Sequence, residues 1–331
     1  MTQGERILGQ AIGPGLQGNG GEEHPALLRP VRATRTTRER GHRAGLVQVR
    51  KVPLPIGARM DINRGKIAEL GSMCYGVKAR TEMSLRIAKS RGNSKVAEQL
   101  AALLDPFQEL DHHFANGFDH PALVVYTDAA PRDPQISLWG LVPAWTKDEA
   151  QLKQLWNQTL NARGESIFEK PAFRASAMNK RAIVHVEGFY EHYHLGKKTY
   201  PYFIHLKERE HFALAALWEE WKDRESGLLL HTFSIVTTEA NGLMRHVHNN
   251  PKLEGPRMPV ILTTEGEEQW LAPVHSPADV AALRSLMAPY PAEAMVAHPV
   301  HPLLGANGTG NTPQASDLFE YPELALAGPF A

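Results

Sequence analysis

The sequence predicts an α+β domain with a mostly antiparallel, barrel-like β core and peripheral helices. Three observations lead there. All 25 aromatic residues lie beyond Met73, so only the chain from there onward carries the large side chains a sizeable core needs. That part holds many short β-rich runs with few helical stretches between them, which argues against a doubly wound parallel sheet. No repeat of 20–50 residues is visible.

Taken in order, "TEMSLRIAKSRGNSKVAEQLAALLD" (81–105) reads as one or two helices, with a break near Gly92. "PALVVYT" (121–127) and "ISLWGLVP" (136–143) read as strands, and "KDEAQLKQLWNQTL" (147–160) as a helix. Four β-rich runs follow at 181–193, 200–207, 211–221 and 231–238, then a short strand at 257–263. "SPADVAALRSLM" (276–287) reads as a helix with Ser276 or its predecessor as N-cap and Pro277 at N1. "LLGANGTGNTPQASD" (303–317) reads as a Gly/Asn/Pro-rich tail.

The expected organisation is an upstream extension over 1–72, a domain over 73–303 and a C-terminal tail over 304–331. Residues 1–72 contain 12 Lys and Arg against 6 Asp and Glu, and their composition suits disorder, a basic arm, or upstream sequence swept in by a wrongly chosen start. The remainder then holds 24 of the 36 basic and 30 of the 36 acidic residues, so any phosphate contact must come from a local basic cluster. No apolar run approaches the roughly 20 residues of a membrane helix, and a cytoplasmic, monomeric protein without membrane contact is expected. A single cysteine excludes an internal disulfide framework and a multi-cysteine zinc site.

That cysteine is Cys74, directly after Met73. If Met73 is the start of translation and is removed, Cys74 presents an α-amine and a thiol on adjacent carbons. Such an aminothiol condenses with aldehydes: the amine forms an imine, and the tethered thiol closes a thiazolidine ring. Reference pKa values of about 8 and about 8.5 leave both groups partly reactive at neutral pH. An internal cysteine, whose nitrogen is an amide, cannot do this, and a buried structural thiol is the alternative.

Other stretches carry candidate chemistry. "LNARGESIFEKPAFR" (160–174) concentrates Asn161, Arg163, Glu165, Lys170 and Arg174, where an Asn can orient a thiol or imine and Arg suits phosphate, an ordinary charged loop being the alternative. "HVEGFYEHYH" (185–194) places Glu191 among Phe189, Tyr190 and Tyr193, a setting for a general acid. "TTEANGLMRHVHNNPKLEGPRMPVIL" (237–262) offers His246 and His248, as a proton shuttle or a metal pair without obvious further ligands. "WGLVPAW" (139–145) offers Trp139 and Trp145 as core aromatics or as a stacking platform for a base.

In this order, Met-Cys, "GFDHPALVVYT", "WGLVPAW", "NARGES…EKPAFR", "RAIVHVEGFYEHY", "TTEAN…VHN…RMPVIL" and "EQWL" resemble the SRAP family, the SOS response-associated peptidases. The resemblance runs from about Met73 to about Leu271 and toward 303. It implies Cys74 as N-terminal nucleophile, Asn161 as its orienting group, Glu191 as the acid that opens the sugar ring and His248 as proton carrier. It further implies Arg163, Arg174 and Arg257 on backbone phosphates and Trp139 on the strand-splitting surface. The partner would be single-stranded DNA with abasic sites, captured as a thiazolidine crosslink without metal or other cofactor. Self-processing ahead of Cys74 would account for the word peptidase.

Two departures stand out: Gly76 where the family often has Arg, and His192 where it has Trp. Two other functions fit the same residues: a Cys–His thiol peptidase acting in trans, and a noncatalytic DNA-binding protein using the basic arm.

Overall fold

The computed structural model describes residues 75–90, 97–98, 101 and 110–327. Its centre is a closed ring of five strands: β3 (Ala122–Thr127), β4 (Ala130–Trp139), β6 (Arg181–Val186), β9 (Phe212–Lys222) and β10 (Leu229–Glu239). β4 pairs with β3, β3 with β6, β6 with β9 and β9 with β10, all antiparallel. The parallel pairing of β10 with β4 at Thr232–Phe233 closes the ring. Closure removes the open edges a flat sheet would leave. The α+β, mostly antiparallel expectation holds.

Short strands extend the ring. β5 (Asn161–Arg163) lies parallel to β10 at Ile235–Thr237, and β11 (Arg257–Pro259) lies antiparallel to it at Thr237–Glu239. β12 (Ile261–Leu262) crosses to β9. A second sheet of five strands has the order β13 (Met295–Pro299), β8 (Lys198–Leu206), β7 (Gly188–Leu195), β1 (Gly76–Ala79), β2 (His112–Asn116). Its inner face shares one apolar core with the ring, including Val77, Phe189, Ile204, Val184, Leu214 and Phe233.

The helices lie outside: α1 (Thr81–Ser90), α2 (Glu149–Leu155), α3 (Arg174–Asn179), α4 (Gly242–Val247), α5 (Thr264–Leu271), α6 (Pro277–Leu286) and α7 (Pro322–Ala327). α6 starts as read from the sequence. Ser276 caps it, Pro277 stands at N1, and Asp279 completes a capping box.

A buried arginine ties helices to the ring. Arg181, at the start of β6 and 1% exposed, donates to the carbonyls of Ala177 and Met178 at the end of α3 and to those of Trp270 and Ala272 at the end of α5. It thereby satisfies acceptors that helix C-termini leave open.

Several strands differ from their expected extents. β4 begins at Ala130 rather than Ile136, because Pro131 and Pro134 mask its period in the sequence. β1, β2, β5 and β13 are three to five residues long, too short to show alternation. The segment after 303, read as a tail, packs on the second sheet: Asn311 Oδ1 accepts from the backbone of His113 and Phe114, and Leu318 bridges to Val300.

Candidate active site

Two elements bring the proposed acid and proton carrier together. Glu191 lies in the middle of β7, where alternation points it to the same side as Phe189 and Tyr193, while Tyr190 turns to the other face against Phe114. His248 follows α4, whose N-cap Asn241 accepts from Met244 N at 2.9 Å and donates to Tyr290 O at 2.7 Å. The helix ends when His248 N donates to Met244 O at 2.7 Å, which turns the imidazole toward β7. His248 Nδ1 then stands 3.7 Å from Glu191 Oε2, both side chains being buried.

Glu191 Oε1 accepts from the backbone N–H of His192 at 2.9 Å. Its other oxygen, Oε2, is buried without a hydrogen bond among the described residues. A buried carboxyl oxygen without a partner is costly unless something is meant to meet it. Asn249, next in chain, reinforces the arrangement: it accepts from His194 N at 2.7 Å and donates to His194 O at 2.9 Å, which locks the segment after His248 against β7. His246 does not join this pair. Its ring stacks on Tyr193 with centroids 5.0 Å apart.

Cys74 lies outside the described residues. The strand that follows it is well placed, however: Gly76 pairs with Tyr190, the neighbour of Glu191. The packing also explains the glycine. A Cβ at Gly76 would stand 2.6 Å from Phe114 Cε2, so the Phe114 ring occupies the space a side chain would need.

Asn161 and Arg163 share one side of β5, with Ala162 turned into the core between them. Arg257 faces them across β10. Its guanidinium, largely buried, donates to the Thr237 carbonyl at 3.0 Å and makes a two-pronged pair with Glu165 at 2.9 and 2.7 Å. The Arg257 backbone N–H and carbonyl both contact His248 Nδ1, at 3.3 and 3.2 Å. Glu191, His248, Arg257 and Glu165 are thus linked contact by contact, and Arg163 lies near enough to act on Glu165 through its charge.

The structure corrects one expected role. Trp139 has no exposed surface; its indole donates to Leu160 O at 2.8 Å and its ring lies near Phe233 in the core. It has no face to offer a base. The exposed tryptophan of "WGLVPAW" is Trp145, 47% exposed and bonded to Pro171 O, three residues before the exposed Arg174 that opens α3. His192 is exposed.

The sequence shows Glu165 beside Arg163 but not its pairing with Arg257, and it gives no sign of Glu254. Arg163 meets Glu254 at 2.8 Å, and Glu254 sits in the "NNPKLEGP" segment between His248 and Arg257. Partial burial raises the Glu165 carboxyl, but hydrogen bonds from Arg257 and the charges of Arg257 and Arg163 outweigh it and hold the pKa below the usual range. The pair with Arg257 is therefore complete at neutral pH and weakens only as pH falls through that lowered pKa. A phosphate approaching either arginine at pH 7 must displace a carboxylate.

A family model described as SOS response associated peptidase (SRAP) matches residues 83–307. The chain belongs to the SRAP family. The SRAP relatives include the Bacillus subtilis abasic site processing protein YoqW, 41% identical over 169 residues that cover 51% of this chain and 69% of YoqW. Abasic site processing protein YoaM of the same organism is 36% identical over 214 residues, covering 62% and 88% of the two chains. The Gallus gallus abasic site processing protein HMCES is 29% identical over 182 residues, covering 49% and 51%. A crystal structure of a Bacteroides thetaiotaomicron protein superposes with a TM-score of 0.64 at 32% identity, covering 75% of this chain and all of that one. A Bordetella bronchiseptica protein at 20% identity shares the fold, with a TM-score of 0.52 over 69% of this chain and 99% of its own.

Proposed function

We propose that this SRAP protein processes abasic sites in DNA by covalent capture through an N-terminal Cys74. The observation that carries the reading is the buried Glu191–His248 pair at 3.7 Å beside the strand that Cys74 leads into. The names of the relatives support the substrate class.

The abasic deoxyribose exists mainly as a closed hemiacetal. Glu191, in its acid form, gives its proton to the ring oxygen through Oε2 as the C1′–O4′ bond breaks and the C1′ hydroxyl gives up its proton to water, which opens the aldehyde. The α-amine of Cys74 attacks C1′, and loss of water leaves an imine. Sγ then adds to C1′ while its proton passes to the nitrogen, closing the thiazolidine. His248 relays protons at the imine stage and in reversal. Asn161 orients the terminal residue. Arg163, Arg257 and the exposed Arg174 hold phosphates of a single strand. The same Asn161, Glu191 and His248 would serve cleavage of the Met73–Cys74 bond, the self-processing reaction; translation starting at Met73 reaches the same terminus.

The test is direct. Protein beginning at Cys74 is incubated with single-stranded DNA carrying one abasic site and resolved under denaturing conditions. A covalent band is expected, and none from Cys74→Ala or from protein that retains Met73. Equal capture by the form retaining Met73 would reject the thiazolidine route. Turnover of a peptide in trans by that form would favour a thiol peptidase instead.

The Glu254 carboxylate gives a second expectation. Glu254→Gln is expected to tighten binding to undamaged single-stranded DNA by about 2- to 5-fold, the modest size an exposed pair allows. Titration of labelled oligonucleotide by anisotropy measures it, and unchanged affinity would remove Arg163 from the phosphate contacts.

A further inference from the structure

We infer that the outer face of the five-stranded sheet carries a second, phosphate-binding site, separate from the Glu191–His248 centre. A cleft of about 330 Å³ opens there between β1, α1, the β8–β9 turn and β13. Alternation separates it from the candidate active site. Val77 and Phe189 enter the core on one face, with Glu191 on that same side. Lys78, Phe203 and His298 stand on the other, where Phe203 pairs with Tyr190 and His298 with Phe203.

The lining is cationic: Lys78, Arg80, Arg86 and Arg209 against Glu187 and Glu210. The two carboxylates are already matched. Glu187 takes Arg80 Nε at 2.7 Å and Lys78 at 3.5 Å, while Glu210 takes Arg86 at 3.0 Å. Glu187 is itself largely buried, so these contacts hold Lys78 and Arg80 in fixed positions at the floor. Beside that bond, Arg80 Nη1 lies 3.7 Å from the exposed Glu82, which leaves Nη2 without an ion pair among the described residues. Arg209 is exposed and has no ion pair among the described residues.

Two imidazoles complete the wall. His298 Nε2 contacts Ser316 O and His205 Nδ1 contacts Leu206 O, both at 2.9 Å, so each ring has one nitrogen left. Net positive charge, two incompletely used guanidinium forks and a concave shape suit the several oxygens and high charge of a phosphate ester better than a lone carboxylate. The source is either a polynucleotide backbone or a free phosphoester, and both present the same group.

The experiment uses the full chain with Arg209→Gln and, separately, Arg80→Gln. Arg209 is exposed and unpaired, so its variant keeps the fold even where loss of the Arg80–Glu187 contact does not. Inorganic pyrophosphate is titrated by calorimetry, and an undamaged single-stranded 20-mer by anisotropy at several salt concentrations. Pyrophosphate is expected to bind the wild type and to bind Arg209→Gln about tenfold more weakly, the loss typical of a charge-assisted contact. If the 20-mer also weakens and its log K against log salt slope falls by about 1, the ligand is nucleic-acid backbone. If only pyrophosphate weakens, it is a free phosphoester. Pyrophosphate binding that is absent, or unchanged in both variants, would overturn the site.

Discussion

Glu191→Gln is expected to slow crosslink formation by about 10²- to 10⁴-fold, the range of a lost general acid. Glutamine has the same shape, and its side-chain oxygen can keep the 2.9 Å hydrogen bond from His192 N, so β7 should be undisturbed. What disappears is the transferable proton at the Oε2 position, the buried oxygen that has no hydrogen bond among the described residues and faces His248 at 3.7 Å. Single-turnover rates with protein beginning at Cys74 measure the effect. A substrate analogue whose aldehyde is already open separates ring opening from the later steps. It should recover most of the lost rate, because only the ring oxygen needs that proton. A variant equally slow on the open aldehyde would move Glu191 from ring opening to the imine or thiazolidine step.

Gly188→Ala is expected to destabilise the protein by about 3 kcal/mol or more, at the upper end of overpacking costs. Gly188 opens β7, three residues before Glu191, and pairs with Lys78 on β1. A Cβ there would stand 2.2 Å from Phe203 Cζ and 2.6 Å from the Ile204 carbonyl oxygen. The ring has little room to retreat, because Tyr190 and His298 stand against it. The backbone oxygen belongs to β8 and cannot move without opening the β7–β8 ladder. Denaturant titration against wild type measures the loss. Gly242→Ala is a fitting control, since no atom lies within 4 Å of a Cβ built at that position. Equal stability of Gly188→Ala and wild type would mean that the two strands separate far more easily than their registers imply.

The core strands were legible in the sequence where apolar residues dominate. β6, β9 and β10 are buried along nearly their whole length, so their runs stand out even without alternation. β1 was not legible: four residues, one of them glycine, carry no pattern, and only pairing with β2 and β7 makes them a strand. The segment after 303 looked like a tail for a similar reason. Its contacts with His113, Phe114 and Val300 are all long-range, and its own composition gives no hint of them.

The sequence by itself determined the chemical types present and their order: a single thiol behind a methionine, an Asn and an Arg two apart, a Glu in an aromatic strand, a His before an Arg-Met-Pro. Those are local facts, and with the SRAP motif order they suffice for the family. Only the tertiary structure decided which groups meet. Trp139 faces the core and Trp145 the solvent, because strand and loop geometry, not residue type, sets exposure. Glu165 and Glu254 neutralise the two arginines from separate loops. Charge interactions depend on distance through space, and distance along the chain says little about it once a closed ring of strands brings remote segments side by side.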